Sequence, residues 1–111
     1  MADIDEKLAE RIRQVLKGRR GIEEKRMFGG RCFLVHGNMI CGTSSEGRLV
    51  VRVGPDNHDR VVEQKHVTVM EMKGRPMRGL IFVSPEGVKR KDSLEKWVGL
   101  GFEVAKSLPK K

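Results

Sequence analysis

Apolar residues recur along this chain with two periods, one helical at the two ends and one strand-like in between. Near the N-terminus they are spaced by three or four positions between Asp3 and about Lys17, which predicts an amphipathic helix. Its apolar stripe consists of Ile4, Leu8, Ile12, Val15 and Leu16. Asp3 is the expected N-cap and Gly18 the expected end. We expect this helix to cover a sheet.

The helical period returns over residues 92–108, which predicts a second amphipathic helix with Asp92 or Ser93 as its N-cap. Its apolar face comprises Leu94, Trp97, Val98, Gly101, Ala105 and Leu108. Trp97 lies within this stripe, and we therefore expect it to be buried against the sheet or the first helix.

Two glycines interrupt the second helical stretch. Gly99 and Gly101 each cost about 1 kcal/mol relative to alanine in a helix interior. The cost is offset where a neighbouring element packs closely against the glycine. The pair therefore predicts either such a contact or an interrupted helix.

Between the helices, short apolar runs separated by turn residues predict antiparallel strands. A first strand over residues 22–28 ends at Gly29-Gly30, a pair suited to a bulge or a close backbone approach. Residues 31–36 then meet residues 39–41 across Gly37-Asn38, since both turn residues readily adopt positive φ. This second segment is predicted to be a hairpin.

The remaining elements follow the same alternation of strand and turn. Ser45-Glu46-Gly47 is a second tight connection, with Gly47 in the left-handed conformation. It leads into a strand over residues 48–53 whose alternate residues, Leu49, Val51 and Val53, share one face.

A short helix is predicted from Asp56, its expected N-cap, to about Gln64. Strands over residues 67–72 and 80–83 come next, with a break at Lys73-Gly74-Arg75-Pro76 between them. The turn 84–87 closes the last strand.

This order of elements predicts an α+β fold, in which an antiparallel sheet is covered on one face by the N- and C-terminal helices. Residues 1–111 are predicted to form a single domain, since this length supports one core. Phe33, Val35 and Ile40 are expected on one face and Leu34, Met39 and Cys41 on the other. A homodimer is one arrangement that would bury the second apolar face.

Charge adds a possible class of partner. Lys and Arg number 23 against 15 Asp and Glu, a formal net charge of +8 that attracts polyanions. The alternative is a basic surface that only keeps the protein in solution. Basic residues cluster around the first and last predicted strands, and the candidate contacts for weak nucleic-acid binding are Arg19, Arg20, Lys25, Arg26, Arg31, Arg75, Arg78, Lys89, Arg90 and Lys91. Four phenylalanines and one tryptophan are too few to predict a base-stacking platform.

A second candidate site lies on the predicted hairpin. Cys32, His36 and Cys41 fall on one face of it in the predicted register, which would suit a small ligand or a metal. Their spacing differs from the paired short spacing of structural zinc sites, and buried, inert cysteines are the alternative. His58 and His66 have no serine or cysteine that spacing places beside them. We expect no cofactor and no enzyme activity.

The predicted location is the cytoplasm. Two cysteines cannot form a disulfide framework, and the N-terminal MADIDEKLAE is acidic, unlike a signal peptide. No apolar run approaches the length of about 20 residues that a membrane span needs. We therefore expect a soluble protein with no membrane partner.

One run of residues is typical of a known family. Arg26-Met27-Phe28-Gly29-Gly30 is followed by matching residues at Phe33, Gly37-Asn38-Met39, Leu49, Arg52, Pro76-Met77, Gly79, Asp92, Leu94 and Trp97. The sequence, from about Leu8 to Leu108, resembles the N-terminal domain of the TfoX (Sxy) family of competence regulators.

The resemblance implies an α+β domain, an association with the regulation of DNA-uptake genes as a transcriptional co-activator, and no catalytic site. We therefore expect a non-enzymatic regulatory or interaction module that acts by contact with an unknown partner protein and has weak, non-specific affinity for DNA. The alternative is a small-ligand or metal-binding domain.

Overall fold

The computed structural model describes residues 2–27, 30–44, 47–72 and 74–109. Within these residues the elements follow the predicted order of helix, strands, short helix, strands and helix. They are α1 (Ala2–Leu16), β1 (Ile22–Met27), β2 (Gly30–Val35), β3 (Asn38–Thr43), β4 (Leu49–Arg52), α2 (Pro55–Val61), β5 (Val67–Met72), β6 (Arg75–Val83), a 3-10 turn (Pro85–Val88) and α3 (Lys91–Ser107).

The six strands form one antiparallel sheet in the order β1-β2-β3-β4-β6-β5. Helix α3 packs against β2, β3 and β4, while α1 packs against α3 and against β2 and β3. Helix α2 lies against β6. The predicted α+β fold with terminal helices on one face of an antiparallel sheet is confirmed.

The core lies between this face and the helices. Alternate residues of β4 and its extension, Leu49, Val51 and Val53, are fully buried in it, as their spacing predicts. Trp97 is only 4% exposed and belongs to the same cluster, so its predicted burial is confirmed. Gly30 lies against the backbone of Thr43, where a Cβ would collide with the Thr43 carbonyl. This is the close backbone approach that the glycine predicted.

The second face of the sheet carries Leu34, as predicted, but not Cys41, which pairs with Phe33 and lies in the core cluster. Cys32, Leu34 and Val50 have exposures of 1%, 8% and 3% in the single chain, although they lie outside the cluster beneath the helices. The Arg52 side chain crosses this region and donates a hydrogen bond from Nε to the Met39 carbonyl at 2.8 Å. A second copy of the chain is therefore not needed to remove these three side chains from water.

The hairpin turn differs from the prediction by one residue. Val35 pairs with Asn38, so that the turn is His36-Gly37 and not Gly37-Asn38. Both turn residues have positive φ, 54° for His36 and 81° for Gly37, as a tight hairpin of this hand requires. A distant contact accounts for the shift: the buried Asn38 donates from Nδ2 to the Pro109 carbonyl at 2.9 Å, which holds Asn38 inside β3.

The short helix also begins differently. Gly54, with φ of 83°, occupies the N-cap position, and Asp56 lies in the first turn, so the predicted Asp56 cap is wrong. Pro55 explains the difference, because its fixed φ and missing N–H suit the first helical position. The helix ends at Val61, before the predicted Gln64.

Strand β6 begins at Arg75, five residues before the predicted start. Gly79 allows this length, because it adopts φ of 93° within the strand while its carbonyl accepts hydrogen bonds from the Val53 and Gly54 amides. Gly47 has φ of 76°, as predicted. Some predictions concern positions outside the described residues, namely Phe28, Gly29, Ser45, Glu46, Lys73 and the side chain of Asp3.

Candidate interaction site

The strand register separates the predicted basic residues between two ends of the sheet. We call the end where β2 and β4 begin, at Gly30 and Leu49, the upper end, and the end where β1 and β3 begin, at Ile22 and Asn38, the lower end. Helix α3 runs from the upper end towards the lower end, because its C-terminal extension contacts Asn38. Helix α1 runs in the same direction.

The first basic group is divided between these ends. Arg19 and Arg20 follow α1 at the lower end, where the Arg19 guanidinium lies 4.5 Å from the centre of the Phe102 ring. Arg26 pairs with Arg31 near the upper end of β1 and β2. Lys25 alternates with Arg26 and therefore points to the opposite face of the sheet.

Arg31 is engaged within the domain. Its Nε lies 3.0 Å from Glu6 Oε1, and its Nη1 lies 3.6 Å from Glu24 Oε2. Glu24 also accepts hydrogen bonds from Arg13 at 2.8 and 2.7 Å. These ion pairs connect α1 to β1 and β2, so Arg31 has a structural role.

The second basic group is also divided. Arg75 lies at the start of β6, beyond the lower end, and the side chain of Arg78 is outside the described part of the chain. Lys89, Arg90 and Lys91 are exposed at the start of α3, at the upper end. Among the described side chains, Lys89, Arg90 and Lys91 therefore form one exposed basic segment, separate in the chain from the strand pair Arg26 and Arg31.

Two further basic residues, Lys7 and Arg11 of α1, join this segment. A cavity of about 420 Å³ between α1 and α3 is lined by Arg11, Gln14, Val15, Lys91, Leu94 and Glu95. A neighbouring cavity of about 270 Å³ is lined by Lys7, Leu8, Arg11, Gly47, Pro85 and Val88. Arg11 borders both cavities, and we call the two together the α1–α3 groove.

Lys7 and Arg11 were not among the basic contacts predicted from the sequence. Their spacing already indicated a shared surface, because residues four positions apart on a helix lie on one face. Val15, four positions after Arg11, lies on the same face. What the sequence could not supply is the opposite wall. The Arg11 Nη2 donates to the Lys89 carbonyl at 3.2 Å, a contact between residues 78 positions apart that joins the two walls.

The ion pairs of the described residues leave several cations at the groove unpaired. Within the described residues, Lys7, Arg11, Lys89 and Lys91 form no ion pair. Arg90 pairs with Asp92 at 3.1 Å, but both side chains are more than two-thirds exposed, which makes this pair weak. At this end of the helix layer, these cations thus have a positive potential that no ion pair of the described residues offsets.

The start of α3 adds to this potential. The helix begins at Lys91 with Arg90 in the N-cap position and no side-chain cap, so the predicted cap at Asp92 or Ser93 is wrong. Asp92 instead lies in the first turn and accepts a hydrogen bond from the Ser93 amide at 2.9 Å. Consecutive cations thus occupy the positive end of the helix dipole, where anionic groups are favoured.

The proposed ligand face of the hairpin does not form. Cys32 pairs with Gly42 and Cys41 pairs with Phe33, so the two cysteines point to opposite faces of the sheet. The bulge between Phe33 and Leu34 and the shifted turn produce this register. The prediction that both cysteines and His36 share one face is wrong, and no group of three His, Cys, Asp or Glu in the described part of the chain could hold a metal.

Other reactive side chains are used for packing. Burial raises the pKa of the Cys32 thiol and of the Cys41 thiol, which makes both poor nucleophiles. His58 is 7% exposed, and its Nδ1 accepts a hydrogen bond from the Gly79 amide at 3.0 Å. This ring attaches α2 to β6.

The fold and the groove define a small α+β domain with a basic surface formed by its two terminal helices. The family model for the TfoX N-terminal domain matches residues 14–105, and the chain belongs to this family. Comparisons with curated proteins and with solved structures give no match. Among the described residues, no helix is long and apolar enough to cross a membrane.

Proposed function

We propose that this domain is a non-enzymatic regulatory module that acts in the cytoplasm by contact with a partner protein, in the manner expected of a competence-type transcriptional regulator. Membership of the TfoX N-terminal domain family supports this function. The observation that carries it is the contrast between the groove and three buried reactive side chains, Cys32, Cys41 and His58. The cations at the α1–α3 groove lack ion-pair partners in the described chain, whereas the thiols and His58 are buried in the fold.

Weak nucleic-acid affinity is a secondary property in this proposal. The net charge of +8 attracts phosphate backbones, and such binding weakens as salt rises because condensed counterions are released. The basic residues lie at separate ends of the sheet, so they do not form one continuous phosphate track. We therefore expect DNA binding without sequence preference.

The test is genetic and uses the whole protein. The gene is deleted in its own host, and transcripts of DNA-uptake genes are measured with and without a complementing copy. A reduction that the complementing copy reverses supports the regulatory function. Unchanged transcripts under conditions that induce DNA uptake would contradict it.

Nucleic-acid affinity is tested separately by fluorescence anisotropy with short duplexes of different sequence at about 50 and 150 mM salt. We expect all duplexes to bind alike and to be released at the higher salt concentration. A duplex bound selectively at the higher concentration would instead identify a sequence-specific DNA-binding protein. Light scattering on the same samples gives the oligomeric state and tests the homodimer hypothesis.

A further inference from the structure

We propose that the α1–α3 groove binds an acidic amphipathic peptide segment of a partner protein. An apolar side chain of that segment lies over Val15, and its carboxylates lie against Arg11 and Lys91. This inference rests on the proposed function, since it identifies the chemistry of the partner. It goes beyond that function by assigning the contact to one surface.

Charge complementarity is the first argument. Three cations without ion-pair partners among the described residues line the groove, Lys7 and Arg11 on α1 and Lys91 on α3. A fourth, Lys89, is exposed beside it, and its carbonyl accepts the hydrogen bond from Arg11. Of the carboxylates of α1 that the structure describes, Glu6 pairs with Arg31 and Glu10 with Arg13. An acidic partner would supply the missing counter-charge.

The mixed lining favours a peptide over a nucleic acid. Val15 is partly buried, so it leaves apolar surface available at the groove, and Leu94 lies beneath it. Gln14 and Glu95 line the same cavity, and the Glu95 carboxylate is an acceptor that a peptide N–H can satisfy. A phosphate backbone offers no comparable N–H donor to this carboxylate. Among the described residues, no aromatic side chain lines either cavity to stack on a base.

The dimensions also suit side chains. The larger cavity, about 420 Å³, lies within the range of sites that enclose small molecules and is open along the helices. A peptide helix laid between two helices places residues at three- and four-residue spacing into such a groove. A duplex is too wide to enter it and could contact only its rim.

The binding test uses a fluorescein-labelled peptide with leucine on one helical face and glutamate on the other, at about 150 mM salt. A matched peptide carries serine at each leucine position. The variant Lys89→Gln/Lys91→Gln removes one cation that lines the groove and one beside it. The control variant Arg19→Gln/Arg20→Gln removes two cations from the lower end of the same helix layer. Circular dichroism verifies that both variants fold.

We expect the leucine peptide to bind the native protein about tenfold more tightly than the serine peptide. Lys89→Gln/Lys91→Gln should weaken binding about fivefold or more, while Arg19→Gln/Arg20→Gln leaves it unchanged within error. Equal losses in the two variants would show attraction by net charge alone and overturn the inference. So would equal binding of the two peptides, no binding of either, or displacement of the leucine peptide by short duplex DNA.

These outcomes are distinguishable from a failure of the proposed function. If transcripts fall in the deletion strain but the purified protein does not bind the peptide, the regulatory function stands and the groove is not the contact surface. Unchanged transcripts with groove-specific peptide binding would reject competence-type regulation and retain the surface.

Discussion

Gly101 of α3 lies directly over the backbone carbonyl of Ile40 in β3, so close that a Cβ on Gly101 would collide with the carbonyl oxygen. The helix can approach the sheet to this distance only because position 101 has no side chain. Since α3 forms one wall of the α1–α3 groove, this contact also sets the depth at which Lys91 and Leu94 lie relative to α1.

Replacing Gly101 with alanine should therefore destabilise the domain by about 1–3 kcal/mol, because the helix must move away from the Ile40 carbonyl. Gly99 is the matched control: nothing lies within 4 Å of a Cβ built there. Gly99→Ala should stabilise the domain by about 0.5–1 kcal/mol through helix propensity. Urea denaturation of both variants measures the difference, and equal effects would contradict the close packing.

His36 should be a position where substitution stabilises the protein. It adopts φ of 54° in the two-residue turn, a left-handed conformation that costs free energy for most residues with a Cβ and that asparagine tolerates better. His36→Asn creates an Asn-Gly turn and is expected to stabilise the domain by up to about 1 kcal/mol. His36→Val is the opposite control and should lower the melting temperature. A lower melting temperature for His36→Asn would count against the observed turn.

His58 is predicted to contribute through one hydrogen bond. His58→Phe retains a ring but removes the acceptor of the Gly79 amide, and the unsatisfied buried N–H should cost about 1–3 kcal/mol. Hydrogen exchange of the Gly79 amide, followed by NMR, should accelerate in this variant beyond the change in global stability. An unchanged rate relative to global unfolding would show that the ring only fills space.

The ion pair between Arg13 and Glu24 predicts a pH dependence. The hydrogen bond from Arg13 holds the pKa of Glu24 below its usual value. Burial of the carboxylate raises this pKa, but the positive charges of Arg13 and Arg31 lower it further. A depressed pKa in the folded state gives stability that is present above the unfolded pKa and lost as pH falls through the folded pKa. Acidification below about pH 4.5 should therefore weaken the attachment of α1 to β1.

Arg13→Met is the test of this dependence. The melting temperature of the native protein should fall more steeply between about pH 5 and 3 than that of the variant. The difference at neutral pH should stay below about 1 kcal/mol, because Glu24 is partly exposed. Arg20→Met, at an exposed position with no ion pair among the described residues, should retain the native slope. Identical slopes for all three proteins would assign the acid sensitivity to other carboxylates.

Local periodicity was sufficient to predict the element order, because Leu8, Ile12 and Trp97 each belong to a repeating apolar face. It failed where a distant residue sets the local structure. The turn is His36-Gly37 because Asn38 is bound by Pro109, 71 positions later in the chain. The residues of the turn alone do not indicate that contact.

Only the part of the candidate site that is continuous in the sequence was predictable from it. Lys89, Arg90 and Lys91 form a continuous basic run that the sequence displays directly. The opposite wall, Lys7 and Arg11, depends on how α1 packs beside α3. The predicted cysteine face failed because a bulge and a turn shifted by one residue place Cys32 and Cys41 on opposite sides of the sheet.

The cations of the groove predict an opposition between stability and binding. Lys91 occupies the first position of α3, at the positive end of the helix dipole and near Arg11, so its charge is unfavourable in the free domain. Lys91→Gln should therefore raise the free energy of unfolding by about 0.3–1 kcal/mol at low salt. The same substitution should lower the affinity for the acidic peptide. Arg19→Gln should lower the free energy of unfolding, because the contact with Phe102 is lost, and should leave the affinity for the peptide unchanged. If Lys91→Gln instead destabilises the domain, the lysine stabilises the fold, and its charge is not retained for a partner.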